Sequence, residues 1–170
     1  MNPPTLTPLE RFIATYSIVA KEANHLEWSR SRIFQQPIDA DWVDSLSREP
    51  ELAERLEAFV SRHGRLQDTL ADKCLPRWLM ALAEKPGSQI EVLNRAERLG
   101  VLEDVESWLE ARQLRNRLVH EYMTDSGSFA KDLALAEEYS RMLIATCQRL
   151  RTDAITRLNL PANTLPSEEG

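Results

Sequence analysis

Apolar residues in this chain recur at spacings of three and four, and nowhere does an apolar–polar alternation persist. A period near 3.6 residues selects helix over strand. Only five glycines interrupt the pattern. The spacing predicts an all-α fold, an up-and-down bundle of four to five helices. A first helix opens at Thr7-Pro8-Leu9-Glu10, a capping box with proline at the first helical position. Its stripe runs through Phe12, Ile13, Tyr16, Val19, Ala20, Ala23 and Leu26 towards Phe34. A break at Pro37 precedes a short helix around Trp42 to Leu46. A second long helix starts near Pro50, has a weak spot at Gly64 and must kink or end at Pro76. Ser88 and Glu91 cap a further helix that places Ile90, Leu93 and Ala96 inside and stops near Gly100. A helix from about Glu103 to Met123, a turn at 124–127 and a last helix from about Ser128 to Leu158 complete the pattern.

A chain of 170 residues, 42% hydrophobic and 28% charged, suits one globular domain. We assign residues 1–160 to that domain and expect a disordered tail at 161–170, where polar residues and proline prevail. The formal charge of −6 excludes broad coating of nucleic acid and polybasic membrane binding. The cations are 17 arginines and 4 lysines, a bias towards the side chain suited to paired and phosphate-facing positions. A small anion site thus stays compatible with an acidic chain. Cys74 and Cys147 imply no disulfide framework and fit a reducing compartment. The apolar run from Phe12 to Ala20 is too short to span a bilayer and has no basic leader. These features predict a cytoplasmic protein without membrane attachment.

The helix around 103–123 breaks its own pattern. At about 100° per residue, Glu103, Glu106, Glu110, Gln113, Arg117 and Glu121 share a solvent face. The remaining arc carries Val105, Trp108, Leu109, Ala111, Leu114, Leu118, Val119 and Tyr122. Arg115 and Arg112 fall inside this arc, with Asn116 and His120 one turn apart at its edge. A guanidinium among apolar residues needs a carboxylate, or a cleft where an anion reaches it. His120 lies near the expected helix end, where carbonyl dipoles favour imidazolium and suit proton exchange near neutral pH. An ordinary salt bridge and a satisfied polar residue account for the same pattern.

The run Arg115-Asn116-Arg117-Leu118-Val119-His120-Glu121-Tyr122 resembles the signature of the HEPN superfamily, and its Arg-x4-His-x-Tyr spacing resembles the HepT-type toxins encoded beside a minimal nucleotidyltransferase antitoxin. The likeness covers eight contiguous residues; elsewhere it is one of architecture. It implies a homodimer that joins two motifs in one cleft, and a metal-independent endoribonuclease acting on RNA without a cofactor. In that scheme Arg115 holds the scissile phosphate. His120 is the general base or acid for attack by the RNA 2′-hydroxyl, and Asn116 orients the imidazole or binds the phosphate. Tyr122 takes the position to which the antitoxin transfers AMP, or else is a packed aromatic that anchors the helix end. Related helical proteins suggest a second function class, a non-catalytic substrate- or nucleotide-binding partner of a small nucleotidyltransferase.

Other features carry less. His25 and His63 have no metal-ligand spacing to each other or to the cysteines. His63-Gly64-Arg65 reads as a solvated helix face, with a cleft as the alternative. Trp28, Trp42, Trp78 and Trp108 read as core or interface residues. Arg141, Arg149, Arg151 and Arg157 either flank an RNA groove or complement a helix C-terminus.

Overall fold

Thr7 starts the chain's first helix as its sequence demands. Its hydroxyl accepts from the Glu10 amide at 3.1 Å, while the Glu10 carboxylate accepts from the Thr7 amide at 3.4 Å. The helix that follows, α1 (Pro8–Ile33), buries Phe12, Tyr16, Val19, Ala20, Ala23 and Leu26. The computed structural model describes residues 4–121 and 124–167, and at 120 and 121 the backbone alone. Among the described residues every regular element is helical, as the apolar spacing predicts.

Asp39 caps α2 (Ala40–Ser45), its carboxylate accepting from the Trp42 amide at 2.8 Å, and a 3-10 turn at Leu46–Arg48 leads on. Then come α3 (Pro50–Thr69) and α4 (Leu75–Ala81), joined by a π-helical turn at Leu70–Cys74. Here the structure refines the expectation of a kink or stop at Pro76. A proline lacks the amide hydrogen and crowds the carbonyl four residues back. The π turn widens the backbone just ahead of it, with the Leu75 amide donating to Leu70 five residues back. The rod thus continues to Ala81, burying Leu70, Cys74, Leu75, Trp78 and Leu79.

Ser88 caps α5 (Gln89–Arg98) with the expected reciprocal bonds to Glu91, and Gly100 takes the left-handed conformation (φ +82°) after its end. Ile90 is a correction: it is 46% exposed, while Val92, Leu93 and Ala96 are buried. At 100° per residue those three define a narrow sector, and Ile90 lies roughly 110° from its centre. Next come α6 (Val105–Glu121) and α7 (Ser126–Arg157), the latter capped by Asp125, which accepts from the Ser128 amide at 3.1 Å. That cap starts α7 two residues earlier than the sequence pattern does.

Hydrogen bonds between rods give the topology. From α1 to α3 and α4, Ser29 meets Arg62, Glu22 meets Thr69 and Thr15 meets Arg77. Partners therefore run in opposite directions. The same holds for α6 and α7, where Arg117 meets Asp132 and Glu110 meets Tyr139. It holds again for α7 and α1, where Tyr16 donates to the Cys147 carbonyl at 3.2 Å and Arg30 pairs with Glu137 at 3.6 Å. Four long antiparallel rods close a ring: α1, α3 with α4, α6, and α7. Short α2 lies against the start of α7, where Ser126 donates to Asp44. Trp78 and Trp108 are fully buried in the core and Trp42 nearly so, but Trp28 is 60% exposed beneath the Arg32 guanidinium. Both cysteines are buried.

The expected disordered tail is instead docked from Ala162 to Pro166. Leu165 is 1% exposed, and Arg151 donates to the carbonyls of Ala162, Leu165 and Pro166 at 2.7–3.2 Å. Composition averages over the segment and misses that one leucine and one arginine suffice to tie it down. Among the described residues no helix is long and apolar enough to cross a membrane.

Candidate functional site

The register of α6 against α3 decides what its misfit arginine meets. Trp108, Ala111, Leu114 and Leu118 are buried along α6, and Glu106, Glu110, Gln113 and Arg117 are exposed, as their spacing predicts. Gln67 of α3 donates to the Trp108 carbonyl at 2.9 Å within the core, which pins the two helices. Two turns along α6, Arg115 faces α3 and its Nη1 donates to both carboxylate oxygens of Asp68, at 3.0 and 2.9 Å. The pair is partly open to solvent, with side chains 32% and 41% exposed. A pair that exposed contributes at most about 1 kcal/mol of stability. Its main effect is to fix where the cation sits.

Gly64 explains how the guanidinium comes so close to α3. A Cβ at that position would lie 2.3 Å from Arg115 Nε and 2.8 Å from Cζ. The weak spot in the sequence pattern is thus a close-approach site, where the missing side chain is the space Arg115 fills. The preceding residue, His63, is 1% exposed, which overturns its reading as part of a solvated face. Its ring packs edge-on to Phe59 with centroids 6.1 Å apart, and among the described residues neither ring nitrogen has a hydrogen-bond partner. Burial, reinforced by the nearby Arg115 charge, pushes its pKa down to about 4. The imidazole is neutral at physiological pH and adds no repulsive charge beneath the arginine.

Arg115 lines an open groove of about 660 Å³ between α3, α6 and the start of α7. One wall is apolar, formed by Leu56, Val60, Leu118, Val119 and Phe129. Arg65, Lys73 and Arg115 supply cations, and Glu57, Asp68 and Asp72 face them with carboxylates. Among the described lining residues charge is balanced, so an anion would be recognised by individual guanidinium and ammonium groups rather than by a surplus of positive potential. Val119, expected in the buried arc, is 59% exposed at the groove's rim. Arg112, also expected there, is exposed and donates to Gln89 of α5 at 2.5 Å.

Of the motif residues, the structure places Arg115 in the groove and Asn116 on an exposed face of α6, outside the groove lining. The helix backbone continues through His120, whose side chain is outside the described residues, as is Tyr122 altogether. The cationic stretch of α7 does not line this groove. Arg141 pairs with Glu137 at 2.8 Å, Arg157 with Asp153 at 2.7 Å, and Arg149 lies 3.9 Å from Glu103. Among the described residues no group of three His, Cys, Asp or Glu side chains comes together to hold a metal ion. Sequence reasoning found Arg115 and missed Asp68, whose relevance appears only once α3 and α6 are in register. A glycine inside a long amphipathic helix was the available signal. No family model, curated protein or solved structure matches the chain.

Proposed function

We propose that the chain is a metal-independent endoribonuclease, the toxin of a toxin–antitoxin pair, active as a homodimer and neutralised by a minimal nucleotidyltransferase. What supports this reading is the Arg-Asn-x3-His-x-Tyr run in the sequence of an all-α bundle, with its arginine on α6 seated in an open groove. Arg115 would bind the phosphate and neutralise charge developing on its oxygens. His120 takes the proton of the RNA 2′-hydroxyl as the 2′-oxygen bonds to phosphorus. The bond to the 5′-oxygen breaks, and a second His120, from the other copy, protonates that leaving oxygen. A cyclic phosphate and a free 5′-hydroxyl result. Asn116 orients the imidazole.

The test uses the purified full chain with RNA in the presence of a chelator. Cleavage that persists without divalent metal, from a protein that sediments as a dimer, is the expected result. Intact RNA with clean dimeric protein, and no growth defect on expression, overturns the reading and favours a non-catalytic partner subunit of the nucleotidyltransferase.

Neutralisation belongs to the same reading. Transfer of AMP from ATP to the Tyr122 oxygen, with pyrophosphate and the phenolic proton leaving, adds bulk and negative charge within the motif, which repels the RNA backbone. Incubation with the cognate nucleotidyltransferase and ATP is expected to give a mass increase that maps to Tyr122 and is lost in Tyr122→Phe. Adducts confined to other residues, or none at all, count against that role.

A further inference from the structure

Two residues of α3 that belong to no part of the α6 motif determine where its arginine lies. We propose that Asp68, acting across the gap left by Gly64, is the positioning residue of Arg115, holding the guanidinium at the groove wall in the pose from which it meets a phosphate. The role rests on the ribonuclease reading.

Three observations carry it. Asp68 engages Arg115 through Nη1 alone, at 2.9 and 3.0 Å. Among the described residues Nε and Nη2 have no other hydrogen-bond partner. The carboxylate therefore fixes the guanidinium by one nitrogen and leaves donors of the planar fork for an incoming anion. Second, the arginine's charged end occupies the volume that a side chain at position 64 would fill: an added Cβ would lie 2.8 Å from Cζ and 3.0 Å from Cδ, and nearer still to Nε. Any residue but glycine would displace the very atoms that carry the charge. Third, the buried imidazole beneath them, His63, is neutral, so among the described residues Asp68 is the charged group paired with Arg115. An unanchored arginine samples many rotamers, and each arriving phosphate would have to order it. A tethered one has lost that freedom before substrate binds.

The experiment compares steady-state RNA cleavage by the wild-type chain, Asp68→Asn, Asp68→Glu, Gly64→Ala, Arg115→Ala and the Asp68→Asn/Arg115→Ala double variant, each confirmed as folded by circular dichroism. Asp68→Asn is expected to lower kcat about 10- to 100-fold. KM stays level or falls, because no carboxylate competes for the guanidinium. Asp68→Glu recovers most of the loss. Gly64→Ala reproduces it by a different physical route and serves as the second variant if one of the two folds poorly. The double variant is no slower than Arg115→Ala alone, because Asp68 acts only through that side chain. A wild-type kcat in Asp68→Asn overturns the role, as does a multiplicative loss in the double variant. A raised KM at unchanged kcat makes Asp68 a substrate contact and overturns it too. If the wild-type chain leaves RNA intact, the ribonuclease reading fails and takes the role with it. A failure confined to the Asp68 variants leaves that reading standing.

Discussion

On the proposed ribonuclease reading, His120→Ala is expected to abolish RNA cleavage and relieve growth inhibition, with a loss of about 1000-fold or more in kcat. A positioned acid or base supplies on the order of 10²–10⁴ in rate, and in a symmetric dimer the substitution removes both the base and the acid. The contrast with Arg115→Ala is informative. Losing the guanidinium weakens phosphate binding and charge stabilisation together, so KM rises as kcat falls. Losing the imidazole leaves phosphate binding intact, so a 2′-deoxy oligonucleotide that cannot be cleaved still binds His120→Ala with wild-type affinity. Mixing the two variants adds a test of assembly, since shared clefts permit partial recovery in heterodimers. Cleavage by His120→Ala at more than about a tenth of the wild-type rate would remove the residue from the chemistry.

Trp78→Ala should destabilise the fold by about 3–5 kcal/mol, against a total stability typical of such domains of about 5–15 kcal/mol. Trp78 is fully buried, and its indole nitrogen donates to Asp153 of α7 at 3.1 Å. Truncation therefore leaves a large void and an acceptor without its donor. Asp153 also pairs with Arg157 at 2.7 Å, so the carboxylate keeps one partner and the cavity is the larger part of the loss. Urea denaturation is the measurement, with Trp28→Ala as control. Trp28 is 60% exposed and should change stability by no more than about 0.5 kcal/mol. A loss below about 1 kcal/mol for Trp78→Ala would contradict its place at the centre of the core.

Local chemistry made part of this molecule legible from residues alone. The boxes at Thr7 and Ser88, the long stripe of α1 and the solvent face of α6 depend on neighbours three or four positions away, and they form as that spacing requires. Arg115 stood out because its own helix offered it no carboxylate one turn away. Its partner did not, because Asp68 is 47 positions away and looks like any acidic residue until the rods are aligned. Ile90 and Val119 failed for a related reason: a helix's apolar arc shows which residues are available for burial, and neighbouring helices decide how wide a sector is used. Leu165 failed in the opposite direction, as a lone apolar residue in a polar segment that found the core.

The π turn at Leu70–Cys74 sets an angular phase. Upstream of it, α3 carries Gly64 and Asp68, which determine the position of Arg115; downstream, α4 carries the Trp78 anchor. Both lie on one continuous rod, so the rotation accumulated across those five residues fixes how one faces while the other is buried. Because the i→i+5 turn holds one residue more than an α turn, removing a single residue there would restore ordinary helix with α4 near its present phase, whereas a deletion in the regular part of α3 would turn α4 by about 100° relative to the groove. The stretch also carries Asp72 and Lys73 to the groove, so the extra residue it absorbs both keeps the two rods in phase and sets charge on that wall.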